Sequence, residues 1–166
     1  MNAMAPTRPT ELYGCRVRLA ARATAPAEAR RQIRAAIRAW DVPVDPDVAA
    51  LLTSELVTNA IRHEPSPTVT VSIACSGGEL RVEVHDTSRR LPVLVNADAD
   101  ANAEAGRGLM LVATLAADWG VCRDPVGKAV YFTLVFLPGL PWAADAARGS
   151  SDVGTVIHSR PVHSPH

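Results

Sequence analysis

The spacing of apolar and polar positions along the 166-residue chain predicts a strand followed by two helices in its first third. Moderate alternation over Cys15–Ala21 favours the strand. Apolar residues at helical spacing predict a first helix over Ala27–Trp40, with Pro26 in the first turn, where its missing N–H costs nothing. A second helix is predicted over Pro46–His63, with Asp45 as its N-cap.

The rest of the chain adds a strand pair, a third helix and a second strand pair. Val69–Ala74 and Leu80–Val84 alternate around Ser76-Gly77-Gly78, which is typical of a β-hairpin. The remaining elements are predicted at Gly106–Ala117, Val121–Cys122 and Lys128–Leu137. This order favours an α+β fold, a two-layer α/β sandwich in which helices cover one face of a mixed, mostly antiparallel sheet.

Two stretches lack such a pattern. Thr87–Ala105 is mostly polar and longer than most connections in compact domains, so it is either functional or disordered. After Pro138 the chain loses its periodicity. The predicted organisation is therefore a flexible N-terminus over residues 1–12, one domain over 13–140 and a disordered tail over 141–166.

Composition narrows the class of protein. The chain is 48% hydrophobic and 20% charged, which is too apolar for wholesale disorder. Its longest apolar run, Ala129–Leu137, is far shorter than the roughly 20 residues that span a bilayer. Cys15, Cys75 and Cys122 are too few and too scattered for a disulfide framework or a zinc knuckle. We therefore expect a soluble, cytoplasmic, single-domain protein.

The formal net charge of zero is the sum of two opposed regions. Met1–Trp40 carries 8 Arg against 2 Glu, which gives +6. Asp41–Ala147 carries 6 Arg and Lys128 against 14 acidic residues, which gives −7, and the tail restores the balance with +1. Neutrality argues against a general nucleic-acid or membrane binder. The basic first region is either a surface that docks a partner or a solvated arginine face.

Two polar side chains interrupt the apolar stripe of the second helix. Glu55 and Asn59 project into an arc formed by Val48, Leu51, Leu52 and Leu56. A buried polar group costs roughly 2–7 kcal/mol unless it is satisfied, and residues four apart meet on adjacent turns, where they could hold a hard cation or a water and a cation. Alternatively the helix packs on two faces, because Val57 and Ile61 form a second arc, and Glu55 pairs with a core arginine.

Glycines flank an arginine where the third helix is predicted to begin. Gly106-Arg107-Gly108-Leu109 would let the backbone approach a ligand closely, and free N–H groups at a helix start favour phosphates. Arg107 would add a charge-assisted contact. The signal is weak alone, because many helices follow a flexible glycine, and Leu111 excludes the G-x-G-x-x-G fingerprint.

Asp86 comes at the end of the strand predicted over Leu80–Val84. A carboxylate at that point can accept a hydrogen bond from an exocyclic amine such as that of adenine. The alternative is an Asx-turn cap, helped by Thr87 and Ser88.

Together, in this order and spacing, these segments resemble the motifs of the GHKL ATP-binding superfamily of gyrase, heat-shock chaperone, histidine-kinase and mismatch-repair ATPases. Glu55–His63 resembles the N-box, Asp86–Pro92 the D-x-S-x-x-x-P form of the first glycine box, and Gly106–Val112 the second. Trp119–Pro138 is similar to the end of such domains. The resemblance covers roughly Val17–Pro138 and is greatest to small actinobacterial relatives of anti-sigma-factor serine kinases.

The resemblance implies a Bergerat-type ATP-binding fold, with ATP and Mg²⁺ as cofactors. Glu55 would be the general base that orients a water or a substrate hydroxyl. Asn59 would ligate Mg²⁺ that bridges the phosphates, and Asp86 would bind the adenine amino group. The backbone on the phosphate side, after a lid formed by Leu91–Ala105, would be that of Gly106, Arg107, Gly108 and Leu109.

Three further residues of the implied nucleotide site lie at or next to departures from the wider superfamily. Ser88 replaces the glycine of the D-x-G pattern, although it fits the actinobacterial form. His63 is followed by Glu64-Pro65, where relatives usually carry a small residue. Lys128 sits near a position that is often Thr, and its side chain could reach phosphate or cap a turn, of which the turn is preferred.

The resemblance implies a Mg²⁺/ATP-dependent serine/threonine kinase that phosphorylates a small anti-sigma-factor antagonist, binds a sigma factor and forms a homodimer. One alternative is a non-catalytic, ATP-gated module that sequesters a sigma factor or another regulator. Another is an unrelated α+β interaction domain that binds no ATP. The intact Glu55 favours catalysis, because a pure binding module has no need of this carboxylate.

Overall fold

The computed structural model of the chain describes residues 12–63, 66–87, 104–123 and 125–138. The elements in these ranges follow the predicted order. They are β1 (Tyr13–Ala20), α1 (Ala25–Ala39), α2 (Pro46–His63), β2 (Thr68–Ser76), β3 (Glu79–Asp86), α3 (Glu104–Leu115), β4 (Asp118–Arg123) and β5 (Lys128–Val135). Residues 1–11 and 139–166, which hold almost all of the predicted flexible N-terminus and the tail, lie outside the described residues.

The five strands form one sheet in the order β1-β2-β3-β5-β4. All four strand pairings are antiparallel. Buried and half-buried residues alternate along β2 and β3, with Val71, Ile73 and Val82 buried on one face. The helices pack against that buried face. The predicted α+β class and the two-layer arrangement are confirmed.

The start of α2 follows from one side chain. The Asp45 carboxylate accepts hydrogen bonds from the backbone N–H groups of Asp47 at 2.8 Å and Val48 at 3.3 Å. Two of the four N–H groups that a helix start leaves without intrahelical partners are thereby satisfied. The predicted N-cap is confirmed.

The turn between β2 and β3 depends on glycine. Gly77 and Gly78 have φ values of 58° and 82°, in the left-handed region that a two-residue hairpin turn requires. The ladder continues to the turn, with Ser76 opposite Glu79. The hairpin predicted from Ser76-Gly77-Gly78 is confirmed, and it fixes the register of β3, the strand that ends at Asp86.

The burial of α2 is broader than a single stripe. Leu52 and Leu56 are fully buried as predicted, but Leu51 is 37% exposed, so the expectation that it faces the core is wrong. Val57, on the second apolar arc, is fully buried. Since α1, α3 and the sheet all contact α2, the helix buries two faces, as the alternative interpretation proposed.

The core lies between the helices and the inner face of the sheet, with Phe132 of β5 as its largest fully buried side chain. Cys15, Cys75 and Cys122 are all free thiols. Of the helices in the described ranges, none combines the length and the apolarity that crossing a bilayer would need.

Candidate functional site

The polar pair on α2 lies where the sequence places it. Asn59 is buried, with 8% of its surface exposed, and Glu55, one turn earlier, is partly buried. The Asn59 Oδ1 atom is buried and has no hydrogen-bond partner among the described residues. Because most buried polar atoms are satisfied, an acceptor left in this state is available to a ligand, an ion or an ordered water.

Helix α3 approaches this pair through a glycine. A Cβ atom added to Gly108 would overlap Oε2 of Glu55 and would lie 3.3 Å from the Cβ and Cδ atoms of Glu55. Gly108 is itself buried. The absence of a side chain at position 108 therefore lets the backbone of α3 approach the Glu55 carboxylate directly, and two motifs whose contacting residues are 53 positions apart in sequence meet here.

The glycine-flanked arginine lies inside α3 rather than before it. The helix begins at Glu104, two residues earlier than predicted, so Gly106 and Arg107 occupy its first turn. The backbone N–H groups of the first four helical residues have no intrahelical acceptor, so this turn can still bind an anion. Arg107 is exposed, whereas Leu109 is 2% exposed and belongs to the core.

A buried ion pair lies at the strand end that the resemblance implies for the base end of the site. Asp86 ends β3, and Lys128, which begins β5, lies directly opposite it in the antiparallel register. Lys128 Nζ donates a hydrogen bond to Asp86 Oδ1 at 2.9 Å, and the two side chains are only 4% and 5% exposed. Neither alternative considered for Lys128, a phosphate contact or a turn cap, describes this contact with the carboxylate implied to bind adenine.

Next to the ion pair, the backbone at Gly127 lies very close to the backbone of Asp86 and Thr87. A Cβ atom at this position would overlap the carbonyl oxygen of Asp86 and would lie 2.7 Å from Cα of Thr87. Backbone cannot rotate away as the end of a side chain can. The end of β3 is therefore fixed against the residue that precedes Lys128.

Some of the implied site residues cannot be compared with the structure. His63 is the last residue of α2, but its side chain lies outside the described atoms. Ser88 and residues 91–103 of the implied lid lie outside the described residues. The described site therefore consists of the Glu55–Asn59–Gly108 cluster, the first turn of α3 and the Asp86–Lys128 pair.

The outer face of the sheet carries a separate polar network. Arg81 Nε donates to Glu83 Oε1 at 2.7 Å, and the Arg81 guanidinium lies 3.7 Å from the centre of the Tyr131 ring. Burial alone would lower the pKa of Arg81, but the hydrogen bond and charge of Glu83 outweigh it and raise that pKa. His85 Nε2 lies 3.2 Å from Glu83 Oε2 but is not aligned as a hydrogen bond.

Tyr131 joins this network to β4. Its hydroxyl donates to Asp118 Oδ2 at 3.1 Å. Burial and, after it, the hydrogen bond to Asp118 raise the pKa of Tyr131. These groups lie on the face opposite to Asp86 and Lys128, because adjacent residues of a strand point to opposite sides.

The basic first region is partly engaged in local contacts. Arg34 Nη2 donates to Asp47 Oδ1 at 3.0 Å, which ties α1 to the start of α2, and Arg16 Nε donates to Ser72 Oγ at 3.1 Å on the sheet. Arg18, Arg31 and Arg38 are exposed.

The donor set fits the Mg²⁺ that the resemblance implies. Asn59 offers a buried amide oxygen without a partner among the described residues, and hard cations prefer oxygen ligands. No group of three or more His, Cys, Asp or Glu side chains in the described ranges is arranged to hold a metal. Mg²⁺ at nucleotide sites commonly takes one or two protein ligands together with phosphates and waters, and it needs no such group.

Sequence reasoning missed two contacts. Lys128 and Asp86 lie 42 residues apart, and their pairing depends on β5 inserting between β3 and β4. The contact of Gly127 with Asp86 has the same origin. The only feature of the sequence that points to these contacts is the Gly127-Lys128 pair at the start of a predicted strand. It does not identify Asp86 as the partner unless the strand order is known.

Comparisons with known proteins give a family match and a similar fold. Residues 19–134 match the histidine kinase-like ATPase domain family. The fold is similar to that in the crystal structure of the RsbU and RsbW domains of Rv1364c from Mycobacterium tuberculosis, with 18% sequence identity and a TM-score of 0.57. That similarity covers 78% of this chain and 34% of the mycobacterial chain, so this protein spans about a third of it. No curated protein matches the sequence.

Proposed function

The chain belongs to the histidine kinase-like ATPase domain family, and from this premise we propose that it is a Mg²⁺/ATP-dependent serine/threonine protein kinase. The observation that carries the proposal is the contact between Glu55 and Gly108, because it places a carboxylate beside the helix start implied to bind phosphate. Family membership supports ATP binding. The Glu55 carboxylate favours catalysis, because a module that only binds ATP would not need it.

The proposed step is transfer of the γ-phosphoryl group to a serine or threonine hydroxyl. Glu55 accepts the hydroxyl proton while the hydroxyl oxygen bonds to the γ-phosphorus. The bond from that phosphorus to the oxygen bridging to the β-phosphate breaks, and ADP leaves with that oxygen. The first turn of α3 holds phosphate oxygens through its backbone N–H groups.

Mg²⁺, when bound, would neutralise the charge that develops on the phosphates, and Asn59 would hold it through Oδ1. Asp86 would accept a hydrogen bond from the adenine amino group at the other end of the site. The acidic balance of Asp41–Ala147, which is −7, favours a cation beside a bound polyanion.

For the protein substrate we propose a small anti-sigma-factor antagonist. A sigma factor is the further partner, and the protein would act in the cytoplasm as a homodimer. The resemblance of the sequence motifs to small relatives of anti-sigma-factor serine kinases motivates this choice of partner class. We further propose that the kinase domain occupies residues 13–140.

The test is a single-turnover incubation of the protein with Mg²⁺, γ-labelled ATP and a candidate antagonist. We expect label on a serine or threonine of the antagonist, and we expect Glu55→Ala to abolish transfer while ATP still raises the melting temperature of this variant. Asp86→Ala should lose the ATP-induced shift. ATP binding without transfer to any candidate would favour the ATP-gated binding module, and no thermal shift with ATP would contradict both.

A further inference from the structure

Strand β1 forms one edge of the sheet, and one of its two sides is open. In the order β1-β2-β3-β5-β4 it pairs with β2 alone, and no other described strand contacts its second side. The pairing with β2 runs through all eight residues of β1 without a break in the register. Natural sheets often protect an edge with a short strand, a proline, a bulge or charged side chains, and β1 has only the last of these. An edge of this length can accept a further strand of suitable charge.

The residues that face the open side follow from one hydrogen bond. The Ala21 N–H donates to the Pro67 carbonyl oxygen at 3.0 Å, which continues the register between β1 and β2 by one pair. Because the backbone groups of an antiparallel strand point alternately to its two sides, the odd-numbered residues of β1 bond to β2. Gly14, Arg16 and Arg18 therefore direct their N–H and C=O groups to the open side, where no described residue binds them.

The same part of β1 places positive charge beside the open side. Leu19 is buried against the core, so Arg16 and Arg18, which are both exposed, lie on the outer face of the sheet. Arg16 Nε donates to Ser72 Oγ at 3.1 Å, and neither arginine forms an ion pair with a described carboxylate. Their cross-strand neighbours, Ser72 and Thr70, are uncharged. The edge thus offers two positive charges, two residues apart, to a strand that pairs with it.

Charge decides which strand suits this edge. Two copies of β1, in the antiparallel register that pairs all three open residues, would place the two copies of Arg16 directly opposite each other. Like charges opposed across two strands are destabilising, whereas opposite charges stabilise the pair. Acidic side chains at every second position of an added strand would share the outer face with Arg16 and Arg18. The residues between them would point to the other face, beside the half-buried Val17, where apolar side chains fit best.

We propose that the open side of β1 is a docking site for a partner protein, which adds an extended segment to the sheet as a sixth strand. The segment carries Asp or Glu at alternating positions, with apolar residues between them. Backbone hydrogen bonds to Gly14, Arg16 and Arg18 supply affinity, and the two arginine side chains select an acidic partner. The docking requires neither ATP nor Glu55, so its failure would leave the proposed kinase function standing.

The first experiment uses a fluorescently labelled peptide, Thr-Val-Glu-Val-Glu-Val-Thr, and measures its binding to the full chain by fluorescence anisotropy. The wild type should bind it about tenfold more tightly than the same peptide with Lys in place of both Glu residues. The double variant Arg16→Glu/Arg18→Glu should reverse this preference. Arg31→Glu/Arg38→Glu, which changes two exposed arginines of α1, is the matched control and should keep the wild-type preference.

A proline at position 14 tests the backbone bonds while both arginines remain. Gly14→Pro removes one N–H from the open side and none from the ladder with β2. A Cβ atom at this position would lie 3.8 Å from the Ile73 carbonyl oxygen, which is an ordinary contact. Gly14→Pro should weaken binding of the acidic peptide about threefold to tenfold. Gly14→Ala keeps the N–H and should bind like the wild type.

Amide hydrogen exchange on the wild type, followed by NMR, locates the bound peptide without any variant. Exchange at Gly14, Arg16 and Arg18 should slow when the acidic peptide is added. Cys15 and Val17, whose N–H groups already bond to β2, should change little. This measurement remains decisive even if a charge-reversed variant does not fold.

A wild type that binds the acidic and the basic peptide equally well overturns the docking site. One that binds neither shows that the arginines only keep the edge unpaired, and it also overturns the site. Loss of the preference in Arg31→Glu/Arg38→Glu would place peptide binding on α1 instead. Protection of Gly14, Arg16 and Arg18 that grows with protein concentration in the absence of peptide would show that a second copy occupies the edge, which contradicts the proposed partner.

Discussion

The two ends of the candidate site differ in how far the protein completes them by itself. At the Asp86–Lys128 end, each charge is neutralised by the other, and the backbone is locked by Gly127. At the Glu55–Asn59 end, a buried amide oxygen has no partner among the described residues, and Gly108 leaves room beside a carboxylate. The first end contributes to the stability of the fold, whereas the second requires a ligand to be complete. Substitutions at the first end should therefore change stability as well as ATP binding, whereas those at the second should change ligand binding or transfer with little change in stability.

The largest effect should come from separating the buried ion pair. Asp86→Leu or Lys128→Met alone leaves an uncompensated buried charge, and each should lower the free energy of unfolding by about 3–5 kcal/mol. The double variant should lose less than the sum of the two, because no charge remains unpaired. Urea denaturation of the four proteins measures this double-mutant cycle.

At the Glu55–Asn59 end, Glu55→Gln is the variant to compare with Asp86→Leu. It should change the free energy of unfolding by less than about 1 kcal/mol, since no described ion pair is broken. If it destabilises the protein as much as Asp86→Leu does, the distinction between the two ends is wrong.

Alanine substitutions of the two glycines should have different effects on stability and on phosphoryl transfer. Gly127→Ala places a Cβ against backbone of Asp86 and Thr87 and should cost about 1–3 kcal/mol of stability or more. The three atoms nearest to a Cβ at position 108 all belong to the Glu55 side chain, whose carboxylate can move. The stability of Gly108→Ala should stay within about 1 kcal/mol of the wild type, because alanine favours a helix, but displacing Glu55 should slow phosphoryl transfer about a hundredfold.

Parallel urea denaturation and single-turnover transfer assays measure both quantities. A Gly108→Ala variant that transfers phosphate at the wild-type rate would show that the position of the Glu55 carboxylate is not critical.

A smaller effect on stability is expected from Asn59. Asn59→Leu removes a buried acceptor that has no partner in the described structure, so the free energy of unfolding should stay equal or rise by about 1–2 kcal/mol. The same change should remove the dependence of ATP affinity on Mg²⁺. Titrations of ATP with and without Mg²⁺ test it, and Ser54→Ala, whose hydroxyl bonds the Leu51 carbonyl at 2.8 Å, serves as a control on the same helix.

The smallest effect lies outside the site, on the outer face of the sheet. Because folding raises the pKa of Tyr131 through burial and the bond to Asp118, the folded protein holds this proton more tightly than the unfolded chain does. The resulting stability is fully present below the ordinary tyrosine pKa of about 10 and is lost as the pH rises through the raised value. Tyr131→Phe should show a weaker decline of stability above pH 10 than the wild type, and ATP affinity at neutral pH should be unchanged.

How much could be predicted from sequence depended on whether the signal was local. The Asp45 cap and the Gly77-Gly78 turn are local, and the structure confirms both. The opposition of Asp86 and Lys128 is set by strand order, which no short pattern encodes. The prediction that Leu51 faces the core is wrong because it assumes that α2 buries a single face. In the structure α1, α3 and the sheet all pack against this helix.

In the candidate site, too, features with a local sequence signal could be predicted and those set by tertiary packing could not. Glu55 and Asn59 could be recognised because polar residues interrupt an apolar stripe, and the structure finds Asn59 buried. The role of Gly108 as the point where α3 contacts Glu55 depends on tertiary packing and could not be read from the sequence. Chemical roles for these residues came from the resemblance and stay predictions.

The central claim is that Glu55 activates the hydroxyl that receives the γ-phosphoryl group. Single-turnover transfer from Mg²⁺ and γ-labelled ATP to the antagonist should be compared for the wild type, Glu55→Gln and Glu79→Gln, an exposed control on β3. Loss of a general base should slow Glu55→Gln by about 10²–10⁴-fold with unchanged ATP affinity, while Glu79→Gln matches the wild type. Transfer by Glu55→Gln at the wild-type rate would contradict the claim.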